Sequence, residues 1–409
     1  MAVYLCVTLD TKGPDALFVR DRLRELGLEV RVLDTGCLGE PAFPADVSRA
    51  EVFAAGDRPL EELVSQQDRG AAVATAARGA AALVRAAWER GEVEAVLGLG
   101  GSAGTTVGTA AMRALPIGVP KVMVSTLASG QVRPYVGDKD ILMLNSVVDI
   151  AGLNRISRQI LSQAAGAVAG MVRFRSPAQA AADRPLIAAT MFGVTTPCVL
   201  RAKQLLEAAG YEVLVFHATG NGGQAMESLI QEGLIAGVLD ITTTELADEL
   251  VGGVLSAGPE RLTAAGRRGV PQVVSVGALD MVNVGPRDTV PARFSGRRFH
   301  VHNATVTLMR TTVEENAALG AEIGRKVAAA RGPSALLLPA RGVSAIDRTG
   351  QPFDDPPARR ALFDALRSHA GSVAVTELDC HINDPEFAET AVSQLLALLS
   401  SVTAPAEKS

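Results

Sequence analysis

Short apolar runs alternate along this chain with longer stretches in which apolar residues recur every three or four positions. Val3–Leu9, Glu29–Leu33, Val93–Leu97, Lys121–Val124 and Ile141–Asn145 read as strands. Leu17, Phe18, Leu23 and Leu26 form one helical stripe, which Gly27 ends as a C-terminal cap. Arg69–Arg90 is an Ala-rich helix, and Asn154–Val172 is another. From Cys37 to about Leu63 no period holds, so this Pro-containing stretch reads as an irregular, functional connector.

The plan then repeats. A Pro, Ala and charge mixture over 176–185 marks a linker between a first domain, 1–178, and a second, 184–409. Leu186–Thr190 copies the first strand, and Gly210–His217 copies Gly27–Asp34. Val270–Ser275 copies Val119–Val124, and His302-Asn303 aligns with Leu144-Asn145. Further strands at Ala335–Leu338 and Val373–Thr376 and a helix near Pro385–Leu399 extend the second copy. The expected fold is α/β: two tandem Rossmann-like parallel-sheet domains related by internal duplication.

Composition narrows the function class. Of 409 residues 48% are hydrophobic and only 4% aromatic, so the cores must be aliphatic. A formal charge of −5 argues against a general nucleic-acid surface. Four scattered cysteines (Cys6, Cys37, Cys198 and Cys380) form no Cys-x-x-Cys pair, which suits a reducing compartment. No apolar run reaches transmembrane length and the N-terminus lacks a signal-peptide pattern, so a soluble cytoplasmic protein without membrane partners is expected.

Ligands of such sheets bind where loops leave the carboxyl ends of the strands. After Val93–Leu97 come Gly98, Gly100, Gly101, Ser102, Gly104, Thr105 and Thr106, and then a helical run. A strand, a glycine loop and a helix start offer free backbone N–H groups to a phosphate. The loop is neither a Walker A motif nor a Gly-x-Gly-x-x-Gly fingerprint. Around it lie Asp10, Thr11, Lys12, Asp34 and Thr126 at other strand ends. Lys12 suits a phosphate contact and Asp34 a ribose contact; the competing readings are a solvated loop lysine and a turn aspartate.

The second domain offers His217, Asp240, Glu245, His302, Asn303, Arg310 and Arg341 as cleft-facing polar residues. His302, His217, Asp240 and Glu245 are the acid–base candidates, and Asn303, Arg310 and Arg341 would hold an anionic substrate. Strand alternation puts His300 and His302 on one face, but the set lacks a diagnostic zinc spacing. Cys198 at a helix start is a weaker candidate nucleophile, with a small buried residue as the competing reading.

Thr8–Gly13, Gly98–Thr106, Gly130–Asp138, Asn145–Asp149 and Phe299–Asn303 together resemble the ATP-binding N-terminal region of the tomato mosaic virus resistance protein and its bacterial relatives. The resemblance covers essentially the whole chain. It implies a homodimer of two α/β subdomains with ATP and Mg²⁺ in the first, where Thr105 or Thr106 is a candidate ion ligand. The leading expectation is an enzyme, a transferase or ligase, that uses ATP to activate or phosphorylate a small anionic substrate held between the domains. A nucleotide-responsive binding or regulatory protein is the alternative. A sugar-nucleotide enzyme is a third reading, from fold analogy alone.

Overall fold

The structure is a computed structural model that describes residues 1–66, 68–175 and 184–403. Residues 176–183 of the expected linker lie outside the described residues. The chain divides into two compact units, 1–179 and 180–409.

The first unit runs β1 (Ala2–Val7), α1 (Leu9–Glu25), β2 (Val30–Asp34), α2 (Arg49–Ala55), α3 (Leu60–Gln66) and α4 (Arg69–Glu89). It continues through β3 (Val93–Gly100), α5 (Ser102–Arg113), β4 (Lys121–Ser125), α6 (Arg133–Val136), β5 (Leu142–Asn145) and α7 (Arg155–Arg173). All five strands are parallel, in the order β2-β1-β3-β4-β5. Strand alternation sends Ala95, Leu97 and Leu99 of β3 into a core with α1 and α7 and Val96 into one with α4 and α5, and a register shift at the start of the β1–β3 pairing puts Val93 in the second core as well. Both faces are thus covered, as a parallel sheet requires. The stretch from Cys37 to Leu63, expected to be irregular, contains α2 and most of α3. Its signal was the capping box of Ser48 and Glu51, each side chain bonding the other's backbone.

The second unit repeats the winding. Its strands β6 (Leu186–Met191), β7 (Glu212–His217), β8 (Gly237–Thr242) and β9 (Gln272–Gly277) are separated by α8 (Thr196–Ala208), α9 (Asn221–Gln231), α10 (Glu245–Val251) and α11 (Ala264–Arg268). Three antiparallel strands follow, β10 (Met281–Val284), β11 (Phe299–Val301) and β12 (Thr307–Arg310), paired as β10-β12-β11. The parallel sheet then resumes with α12 (Val313–Ala328), β13 (Ser334–Pro339), α13 (Pro356–His369), β14 (Ala374–Leu378) and α14 (Pro385–Thr403). Its order, β7-β6-β8-β9-β13-β14, reproduces the first sheet strand for strand and adds β14 at the edge.

This topology corrects one alignment. The counterpart of β5 is β13, not the segment at His302-Asn303, which belongs to the inserted antiparallel sheet. A short amphipathic segment ending in Asn occurs at both places, and sequence pattern alone does not separate a sheet strand from an inserted hairpin.

Candidate functional site

A cavity of about 280 Å³ opens at the carboxyl end of the first sheet, between the ends of β1 and β2 and the starts of α4 and α5. Thr8, Asp10, Thr11 and Lys12 form one side, and Thr35, Cys37 and Leu38 another. Gly101, Ser102, Ala103, Gly104 and Val107 of the α5 start line it, as do Arg69, Ala72, Val73 and Ala76 of α4. The glycine loop has two jobs. A Cβ on Gly100 would stand 2.6 Å from the Gly104 Cα, and one on Gly104 would stand 3.0 Å from the Leu99 oxygen. These two glycines let the strand end press against the first helical turn. Gly101 differs: its Cβ would meet only the Thr126 hydroxyl, at 3.6 Å, so the backbone there borders open space. It is the N-cap of α5 and no side chain caps that turn, which leaves the first amides of α5 without a capping partner.

The charged groups of this cavity are unevenly engaged. Lys12, at a break in the helical geometry of α1, donates from Nζ to the Ile150 carbonyl at 2.6 Å. Asp10 accepts from the Leu38 amide on Oδ2 at 2.7 Å, while its buried Oδ1 has no hydrogen-bond partner. Arg69, which sequence reasoning passed over, lines the cavity from the first position of α4. Its only sequence signal was its place at the start of an Ala-rich helix. Cys37 is half-buried, and burial with the nearby Asp10 carboxylate pushes its thiol up.

Other first-unit candidates stand apart. Asp34 is buried, accepts from the Leu9 and Gly36 amides and pairs with Arg49 at 2.8 Å, so it ties β2 to α1 and α2. The Thr105 hydroxyl is fully buried against Ser125 at 2.7 Å, and the Thr106 hydroxyl donates to the Ser102 carbonyl. Neither lines the cavity, and the loop hydroxyl residue that does is Ser102. A divalent cation placed here would find side-chain oxygens in Asp10 and Ser102. The orphaned Asp10 oxygen would suit such an ion, since a buried carboxylate oxygen without a donor is stabilised by a cation.

In the second unit three of the expected cleft-facing groups, Asp240, Glu245 and Arg310, are interior. Arg261 is fully buried and binds Asp240 through two nitrogens, Glu245 at 2.7 Å and Glu227 at 3.3 Å. Asp240 also accepts from Thr190, Glu245 from the Gly220 and Gly223 amides, and Glu227 from the amides at the start of α11. Burial pushes the Glu245 carboxyl up despite its arginine. Arg310 is buried as well, donating to the carbonyls of Phe353 and Asp280 and pairing with Asp347. Asp280 and Asp347 face one another across this knot, and burial pushes Asp280 up to about 7. Around Arg310 the inserted sheet supplies the cover: Met281 and Leu308 join Ala278 and Phe353 in a small apolar core beyond β9.

The remaining candidates are scattered. His217 stacks at 5.4 Å on Phe192. His302 is exposed at the β11–β12 turn, where the Asn303 side-chain oxygen accepts from Thr305 and Val306. Arg341 is exposed and forked onto Asp379. His300 meets the edge of Phe353 at 6.4 Å, and no group of three or more metal-binding side chains occurs among the described residues. Cys198 is buried and its thiol is pushed up to about 12, far from a thiolate. Among the described residues no helix is long and apolar enough to cross a membrane.

Two family models match the chain: the N-terminal domain of "Uncharacterised protein family (UPF0261)" over residues 1–177 and the C-terminal domain over 184–399. The UPF0261 protein of Clostridium tetani is 50% identical over 394 residues, spanning 96% of this chain and 97% of the relative. A UPF0261 protein of Rhizobium meliloti is 48% identical over the same shares. The ToMV susceptible protein tm-1 of Solanum lycopersicum is 45% identical over 97% of this chain, but that match spans only 55% of the plant protein.

Proposed function

The chain belongs to the UPF0261 family, and from that premise we propose that its first unit binds ATP with Mg²⁺ in the cavity at the start of α5. The observation that carries the reading is the convergence of uncapped amides at Gly101–Gly104 with Lys12 and Arg69 around one opening. An anion placed there meets a helix dipole and two cations. Asp10 and Ser102 would hold the magnesium, which bound would neutralise part of the phosphate charge. Bacterial and tomato proteins similar to this chain are consistent with a shared ligand but name none.

The chain acts, on this reading, as a nucleotide-responsive binding protein. The burial of Asp240, Glu245 and Arg310 favours it over an ATP-dependent transferase or ligase, because groups consumed by structural ion pairs are not free to move protons. The homodimer implied by the resemblance belongs to the same proposal. Calorimetry of the full chain with ATP, with and without Mg²⁺, tests the binding, and the absence of heat in both titrations would overturn it. Light scattering with and without ATP reads the assembly. Sustained ATP consumption with carboxylate or phosphate metabolites would restore the enzymatic reading.

A further inference from the structure

Resting on that nucleotide reading, we infer that the cavity selects its ligand by phosphate charge and not by the identity of the purine, with Arg69 as the specificity-determining cation. Arg69 makes no hydrogen bond or ion pair among the described residues, although it lines the cavity and its charge acts on the Cys37 thiol. Other exposed arginines of this unit, such as Arg24 and Arg155, also lack a carboxylate partner among the described residues, so what sets Arg69 apart is its place on the cavity wall with Lys12. A guanidinium left unpaired beside Lys12 and a helix start is a fork held open for an anion.

The wall offered to a base has a different chemistry. Ala72, Val73 and Ala76 of α4 and Val107 of α5 present only methyl groups to the cavity. The hydroxyls of Thr8 and Thr11 bond each other at 2.7 Å, which uses one donor and one acceptor of the pair. A site discriminates strongly where its own buried polar groups would be left unpaired by the wrong ligand, and weakly where its wall is aliphatic. The 6-amino group of adenine and the 6-oxo group of guanine therefore meet the same surface. Each added phosphate, in contrast, adds charge close to Arg69 and Lys12.

The test is calorimetry of the full chain with Mg²⁺ against ATP, GTP and AMP, for the natural protein, Arg69→Met and Arg69→Lys. Arg69 is exposed and carries no internal bond, so both variants keep the fold. ATP and GTP should bind within roughly tenfold of one another. Arg69→Met should weaken both by roughly tenfold and AMP by less, with partial recovery in Arg69→Lys. Alkylation supplies a second readout: Cys6, Cys198 and Cys380 are buried, so iodoacetamide should label Cys37, and ATP and GTP should slow that labelling equally. A preference above roughly a hundredfold for one purine, an ATP affinity unchanged in Arg69→Met, or unprotected Cys37 under bound ATP would each overturn the inference. If the natural protein binds none of the three nucleotides, the nucleotide reading itself falls, and this inference with it.

Discussion

Arg261 Nη2 lies 2.7 Å from Asp240 Oδ1, and both side chains are sealed from solvent. The same guanidinium reaches Glu245 and Glu227, so three carboxylates from α9, β8 and α10 depend on one cation. Removing one partner of a buried ion pair strands the others without water or counter-charge. Arg261→Met should therefore destabilise the second unit by about 3–5 kcal/mol. Urea unfolding of the full chain, followed for a loss of the second unit's transition, reads the effect.

Stability of the second unit should fall as pH rises from about 4 to about 7. Burial pushes Asp248 and Asp280 up to about 7 in the folded chain, whereas an unfolded aspartate ionises near about 3.9. Between those values the unfolded chain has released protons that the folded chain still holds, so raising pH favours unfolding. The contribution is fully present below the unfolded value and is lost through the folded one. Urea midpoints measured across this window should decline, and Asp248→Asn should flatten part of the decline. A profile that rises with pH over the same interval would contradict the assignment.

Two neighbouring glycines should behave oppositely. A methyl at Gly100 collides with the Gly104 backbone, so Gly100→Ala should cost about 1–3 kcal/mol of stability. At Gly101 the backbone has φ −81° and the added Cβ meets nothing closer than 3.6 Å, so Gly101→Val should fold, at the modest cost of a poor N-cap residue. Its branches project toward the cavity, and ATP affinity should fall by roughly tenfold or more. Thermal unfolding and calorimetry on the two variants separate the effects.

His302→Gln should change little. The ring is exposed at a turn whose hydrogen bonds come from the backbone and from Asn303. Stability should stay within about 0.5 kcal/mol and nucleotide affinity should be unaltered. An affinity loss above about threefold would place His302 in a site this geometry does not contain.

Most strands of the two parallel sheets and the duplication were legible because parallel strands buried on both faces leave nearly unbroken apolar runs, whereas β8 and the inserted β10 and β12 were not. The glycine loop was legible for the same local reason, a strand feeding a helix through residues without side chains. Arg69 was not. An arginine at a helix start looks like any solvated charge until α4 is placed beside α5. The roles suggested for Asp240, Glu245 and Arg310 shifted for a related reason. Ionisable residues at strand ends suggest a cleft, but Arg261 sits 21 residues from Asp240, and only the fold reveals that it neutralises Asp240 and Glu245 while Asp347 pairs with Arg310. Asp34 shows the same limit on a smaller scale, since a strand-end aspartate serves a ribose or a neighbouring amide with one sequence signature.

The excursion between β9 and β13 sets different rules of tolerance for the two copies of the sheet. In the first unit the strand ends border an open cavity, so substitutions there should shift ligand affinity while leaving the amount of folded protein in a cell nearly constant. In the second unit the corresponding ends are roofed by β10–β12 and cross-linked by buried ions, so substitutions at equivalent positions should lower abundance first. A library scored separately for protein level and for ligand capture would thus split the duplicated halves into two maps, one sensitive to capture and the other to level. The inserted sheet thereby makes the strand ends of the second copy part of its packed interior, where a substitution is felt first as a loss of folded protein.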